Sequence, residues 1–220
     1  MLYIVPTPIW NLEDMTYRAV RILCEVEYIA CEDTRTSGVL LKHYDISTPT
    51  ISYHSHSGQA KVNKIIDMLN NGKDVALISD AWTPGISDPG YALVQAALEN
   101  KIEITALPGA SAVITALSAS GMSSHHFLYL GFLPVKKWRQ TLLTRISENK
   151  TETIVIYESV HRIEKTLIDL EKYFGPEHKM VVWRELTKKF EEYVRGTITE
   201  VQDYFKNTPW KVKWEFVVLF

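Results

Sequence analysis

The first half of the chain alternates short apolar runs with helical patterns about every 25 residues, and this rhythm sets narrow limits on the fold. Leu2–Val5, Tyr28–Cys31, Thr50–Tyr53, Asp74–Ile78 and Ile102–Ala106 read as strands. Met15–Val26, Ser37–Tyr44, Ala60–Asn70, Tyr91–Glu99 and Ala112–Ser120 read as the helices that follow them. In the first helix, Ala19, Val20, Leu23 and Val26 recur at helical spacing. Such alternation predicts a parallel sheet flanked by helices, with the functional loops at the carboxyl ends of the strands.

The second half has a different rhythm. Strands are expected at Phe127–Leu130, Thr153–Tyr157, Lys179–Trp183, Glu192–Gly196 and Val212–Phe220. Helices are expected at Arg139–Asn149, Arg162–Phe174 and near Thr199–Phe205. Strands that follow one another without a helix between them predict a mixed sheet. The change of pattern places a domain boundary near Ser120–His126, giving an N-terminal α/β domain over 1–121 and a C-terminal α/β domain over 122–220.

Bulk properties exclude some functions. A net charge of −2 leaves any nucleic-acid contact to local basic patches. Cys24 and Cys31 have no further cysteine to form a metal set and read as reduced thiols of a cytoplasmic protein. No apolar run is long enough to span a bilayer, and the N-terminus lacks the basic-then-apolar order of a signal peptide.

The loop Ser79–Gly90 is the most informative stretch. It carries Asp80, Asp88, Pro84, Pro89, Gly85 and Gly90, and so exposes backbone N–H groups and carboxylates on a stiff frame. That suits a ligand with hydroxyl and amine groups, although a structural Ω-loop would look the same. Pro6–Asn11 follows the first strand, a usual ligand position, yet lacks a dinucleotide fingerprint. At Leu107–Ala112, small residues would let a flat group approach the backbone, and Ser111 is placed to cap a helix.

Glu32, Asp33, Thr34 and Arg35 end the second strand, where they either position a hydroxyl or form a local ion pair with Thr34 as helix cap. His54 and His56 point the same way on an extended chain, but no third metal ligand is suitably spaced. Lys136, Lys137 and Arg139 surround Trp138 and suggest either phosphate contacts with base stacking or a solvated face. Tyr157–Arg162 and Arg184–Lys189 carry charged groups to the ends of two second-half strands.

Together these segments resemble the tetrapyrrole methylase family, in the branch that acts on small-subunit ribosomal RNA. The segments that carry the resemblance are Leu2–Ile9, Asn11–Thr16, Glu32–Arg35, Ser79–Gly90, Pro108–Ala112, Tyr157–Ser159, His161–Arg162 and Arg184–Lys188. The resemblance implies two α/β domains with a cleft between them, S-adenosylmethionine as cofactor, a homodimer, and methylation of a cytidine ribose 2′-oxygen in small-subunit ribosomal RNA or the 30S subunit. It assigns cofactor contacts to Pro8, Ser79, Asp80, Ala81, Thr83, Ile86, Ser87, Pro108, Gly109, Ala110, Ser111, Tyr157 and Leu186. Candidate catalytic groups are Glu32, Asp33, Arg35, Glu158 and Glu185; Arg35, Arg162 and Lys188 are candidates for holding phosphates, with Lys136, Lys137 and Arg139 extending a basic track. No metal is implied. Alternatives are a methyltransferase for a tetrapyrrole precursor, a non-catalytic RNA- or protein-binding relative, and a phosphate-binding doubly wound domain.

The chain departs from the family pattern at its tryptophans. Glycine is the family residue at Trp10, Trp82, Trp138 and Trp214, and a small residue at Trp183; Val135 and Val160 replace an arginine and a proline. Tryptophan is expected to be unable to follow the positive φ of a loop glycine, so the indoles either plug the cofactor pocket or stand outside it. The family usually begins several residues earlier and continues into a small helical domain that would help hold RNA.

Overall fold

In the computed structural model, which describes residues 1–54, 57–148 and 152–220, the chain divides into two compact units, Met1–Ser111 and Ala112–Phe220. The first unit holds five strands: β1 (Leu2–Ile4), β2 (Tyr28–Cys31), β3 (Thr50–Ser52), β4 (Val75–Leu77) and β5 (Ile104–Ala106). They form one parallel sheet in the order β3-β2-β4-β1-β5. The inner strands β1, β2 and β4 are short apolar runs because both faces of the sheet are covered, while the edge strand β3 carries Thr50 and Ser52.

The covering helices are α1 (Tyr17–Glu25), α2 (Thr34–His43), α3 (Gln59–Asn70) and α4 (Tyr91–Glu99). Ile22, Leu23 and Leu41 of α1 and α2 pack with Ile29, Ala76 and Ile78 on one face. Ile65, Leu69, Leu93 and Ala97 of α3 and α4 pack with Leu2, Val75 and Leu77 on the other. Val75 and Leu77 thus face opposite to Ala76, as the two-residue period of a strand requires. β1 and β4 are neighbours, but the helices that follow them lie on opposite faces. The carboxyl ends of such strands are where open α/β sheets bind ligands.

The second unit begins with α5 (Ala112–Ser118) and contains β6 (Phe127–Phe132), α6 (Arg139–Glu148), β7 (Thr153–Glu158), α7 (Ile163–Phe174), β8 (Lys179–Arg184), β9 (Glu192–Thr197), α8 (Ile198–Asn207) and β10 (Phe216–Leu219). Its sheet runs β6-β7-β10-β8-β9, with β6 and β7 parallel and the other pairs antiparallel, the mixed sheet that the sequence predicts. Leu143, Ile146, Leu167, Leu170, Val201 and Phe205 from α6, α7 and α8 pack with Ile156, Val182 and Val218 of the sheet. Helix α8 begins with a full capping box between Thr197 and Glu200.

Two sequence expectations are corrected in detail. Helix α2 starts at Thr34 rather than Ser37, because Asp33, not Thr34, caps it by accepting from the Arg35 N–H. The last strand starts at Phe216 rather than Val212, because Pro209–Lys211 forms a 3-10 turn and Trp214 takes a positive φ. The expected helix end at Asn149 lies outside the described residues, as does His56. Cys24 and Cys31 are both free thiols. Among the described residues, no helix is long and apolar enough to cross a membrane, and no group of three or more metal-ligating side chains occurs.

Candidate functional site

The loops after β1, β2, β4 and β5 converge at the carboxyl edge of the first sheet. The Thr7 N–H donates to the Trp82 carbonyl at 2.9 Å, and the Thr7 hydroxyl donates to the Ser79 carbonyl at 3.1 Å. These bonds join the loop carrying Pro8 to the long loop after β4. The Ser79 hydroxyl donates to the Ala81 carbonyl at 2.8 Å and fixes the loop's first turn. The Thr83 hydroxyl donates to the Ala110 carbonyl at 3.3 Å, joining the long loop to Pro108–Ser111. Gly109 lies flat against a ring: a Cβ there would stand 2.5 Å from the Pro6 Cβ. Ile86, Ser87, Pro108 and Gly109 are exposed, while Pro8 and Ala81 are buried beneath them.

Carboxylates gather at this edge. The Asp33 N–H donates to Asp80 Oδ1 at 3.1 Å, linking the ends of β2 and β4. Burial raises the pKa of Asp80. Burial and the nearby charges of Asp80 and Asp33 raise that of Glu32. Asp88 is pushed up to about 7, first by burial and then by the charge of Glu32, against hydrogen bonds from the Ser79 and Trp82 side chains. Asp33 differs: hydrogen bonds from Arg35 hold its carboxyl at about 2. The Arg35 guanidinium forks onto Asp33 at 2.7 Å and is itself mostly exposed. The sequence shows Asp88 only as one of the loop's carboxylates and assigns it no contact of its own. The signal available was two aspartates eight residues apart in one proline- and glycine-rich loop.

In the second unit, the candidates meet at one end of the sheet. Phe216 of β10 is paired with Glu158 of β7 on one side and Arg184 of β8 on the other. Glu158 is fully buried. It accepts from the Thr166 hydroxyl at 2.6 Å and the Ser159 N–H at 2.8 Å, and Arg162 Nε lies 3.3 Å away. Arg162 also donates to the Leu133 carbonyl at 2.5 Å, so its guanidinium is committed to the protein. Tyr157 is buried, its ring edge-on to Tyr129 and Phe132. Arg184 pairs with Glu185 at 3.1 Å and Glu192 at 3.0 Å, and all three groups are at least partly buried.

Leu186 is buried between Glu185 and Thr187, which hold φ of 50° and 64°. A β-branched residue at positive φ is an outlier of the kind that clusters at functional sites. Lys188 follows, its ammonium 4.3 Å from the centre of the Trp214 ring, with its pKa lowered by burial.

The expected basic track is corrected at one position. Lys136 and Lys137 are exposed, but Arg139 is buried, donating to Asp169 at 2.7 Å and to the Thr166 hydroxyl at 2.9 Å. The expectation about tryptophan is also corrected. Trp10, Trp82, Trp138 and Trp214 all adopt positive φ, between 55° and 73°. Trp10, Trp138 and Trp214 are more than half exposed. Trp183 instead lies buried in β8 against Tyr193, with ring centres 4.5 Å apart.

Comparison with known proteins agrees with this geometry. The profile of the tetrapyrrole (corrin/porphyrin) methylases matches residues 1–202. The chain is 49% identical over 210 residues to a protein of Streptococcus pyogenes serotype M1 named ribosomal RNA small subunit methyltransferase I, covering 96% of this chain and 73% of that one. A Synechocystis protein of the same name is 47% identical over 211 residues, covering 95% and 75%. Among solved structures, a cobalt precorrin-4 methyltransferase superposes with a TM-score of 0.73 at 17% identity, covering 99% of this chain and 93% of that one. A Thermus thermophilus uroporphyrin-III C-methyltransferase solved with S-adenyl homocysteine gives 0.66 at 15% identity, covering 99% and 96%. The profile match over residues 1–202 and the identity to these relatives lead to one assignment: the chain belongs to the tetrapyrrole methylase family.

Proposed function

We propose that the chain transfers a methyl group from S-adenosylmethionine to small-subunit ribosomal RNA, at the 2′-oxygen of a cytidine ribose. The observation that carries this reading is the 49% identity, across 96% of the chain, to a protein named for methylation of that RNA. The cytidine and the 2′-oxygen come from the resemblance of the Ser79–Gly90 loop and its companion segments to that branch of the family.

The residues at the first sheet's edge fit the cofactor. Its sulfonium and amine are positive, and Glu32 and Asp80 supply negative potential from neighbouring positions, joined by Asp88 as it ionises near pH 7. Pro8, Ala81, Ile86, Pro108 and Ala110 offer apolar surface for a flat base, and the bare backbone of Gly109 permits close approach. When bound, S-adenosylmethionine supplies an activated methyl, so the protein's task is mainly alignment. Glu32, with its raised pKa, is the better proton acceptor for a ribose hydroxyl; Asp33, held at about 2, is a weak base and serves to position Arg35. Arg35, Lys136, Lys137 and Lys188 are the cations assigned to RNA phosphates. The committed hydrogen bonds of Glu158 support a positioning role for it. The same reading includes Tyr157 and Leu186 as cofactor contacts, a homodimer and a cytoplasmic location.

The test is transfer of tritium from labelled S-adenosylmethionine to 30S subunits, with porphyrinogens in parallel, followed by nuclease mapping of the modified ribose. Label in RNA as a 2′-O-methylcytidine is the expected result. Label only in the tetrapyrrole, or retention of RNA without transfer, would overturn the reading.

A further inference from the structure

Four of the six tryptophans sit on left-handed backbone: Trp10 at φ 71°, Trp82 at 55°, Trp138 at 73° and Trp214 at 67°. Among all other described non-glycine residues, only Asp45, Ser87, Lys101, Glu185 and Thr187 do the same. For an L-residue this region costs about 1–2 kcal/mol, because Cβ crowds the following carbonyl. A bulky side chain there is an outlier, and glycine is the residue that escapes the cost.

Trp82 is partly buried, but the other three rings do not offset the cost by burial. Trp10, Trp138 and Trp214 are 57%, 65% and 60% exposed. The backbone around them is fixed by its neighbours. The Trp82 carbonyl accepts from Thr7, and the Trp138 carbonyl accepts from Leu142 at 2.9 Å where α6 begins. Trp10 precedes Asn11, which caps the 3-10 turn Leu12–Asp14, and Trp214 stands two residues before β10. Six further left-handed sites hold glycine, at Gly72, Gly85, Gly90, Gly121, Gly131 and Gly175, and none of the other five holds an aromatic residue. Scattered mutation of four glycine sites would introduce several residue types. One type, repeated, points to one codon.

We infer that positions 10, 82, 138 and 214 are glycine sites, and that the protein made in its source cells carries glycine at all four, through a codon that one genetic code reads as tryptophan and another as glycine. UGA is such a codon. Trp183 is a separate case: its φ is not positive, although its indole N–H is buried without an acceptor among the described residues. One consequence rests on the proposed cofactor site. The Trp82 indole stands beside Asp88 in the long loop, and glycine there removes it.

Two measurements test the inference without relying on activity. The first compares the thermal midpoints of Trp10→Gly, Trp82→Gly, Trp138→Gly and Trp214→Gly with that of the chain as written, using Trp210→Gly as a control at an exposed site without positive φ. Each of the four is expected to rise by about 2–4 °C or more, and the control is not. The second is peptide mass spectrometry of the protein isolated from its source, where each of the four peptides is expected to be lighter by the difference between tryptophan and glycine. Indole at any of the four in the native protein, or midpoints that fall, would overturn the inference. Cofactor affinity of the four-glycine chain then reports separately on the proposed function: raised midpoints with no binding would leave this inference standing and remove that one.

Discussion

The backbone N–H of Asp33 donates to Asp80 Oδ1 at 3.1 Å, so an acid at the end of β4 holds the end of β2 in place. Asp80 thus has a structural oxygen and a charge, and the two can be separated. Asp80→Asn keeps an acceptor and removes the charge. The thermal midpoint should stay within about 2–4 °C, while S-adenosylmethionine affinity falls about tenfold, or 1.4 kcal/mol, by calorimetry. Unchanged affinity would remove Asp80 from the cofactor site.

Asp88 makes the first unit sensitive to pH. Its folded-state pKa of about 7 lies above its ordinary value of 3.8, so the folded state holds the proton more tightly. The resulting stability is fully present below pH 3.8 and is lost as pH rises through about 7. Thermal midpoints of the chain and of Asp88→Asn, taken between about pH 5 and 8, should diverge because the variant lacks this decline. Parallel curves would show that Asp88 titrates lower.

Gly109 is predicted to be intolerant of even a methyl group. Its Cβ would lie 2.5 Å from the Pro6 Cβ, and a proline ring on buried backbone cannot swing away. Gly109→Ala should cost about 1–3 kcal/mol in urea unfolding. It should weaken cofactor binding as well, since the displaced loops are the proposed seat.

Glu158 and Thr166 form the buried centre of the second unit's polar network, which extends through Arg139 to Asp169. Thr166→Val keeps the shape and removes the donor, for an expected loss of about 1–3 kcal/mol. Glu158→Ala leaves Arg162 without its charge partner and should cost about 3–5 kcal/mol. If Glu158→Ala instead kept full stability and lost only methyl transfer, Glu158 would belong with the catalytic groups.

The sequence reveals most of the first unit, because an apolar run followed by a proline or an acid marks both a strand and its ligand-facing end. Val75–Leu77 and Pro108–Ala110 could be placed from pattern alone. Asp88 could not: its altered acidity depends on Glu32, which folding brings from the end of another strand. Arg139 misleads for a related reason. Beside Lys136 and Lys137 it looks solvated, but its partner Asp169 is 30 residues away, on the next helix. The left-handed tryptophans follow from no propensity. The family pattern marks these positions in the sequence, but that the indoles keep the positive φ is visible only once the turns around them are built.

The strand Phe216–Leu219 lies in the middle of its sheet, between β7 and β8. During synthesis the first unit has all five of its strands by residue 106 and can close while translation continues. The second unit cannot close as early, because the strand that zips its two halves together is made after all of its other strands. Until those residues leave the ribosomal tunnel, β7 and β8 present apolar faces and unsatisfied backbone edges to the cell. Translation stalled before Phe216 would therefore endanger this half far more than the other.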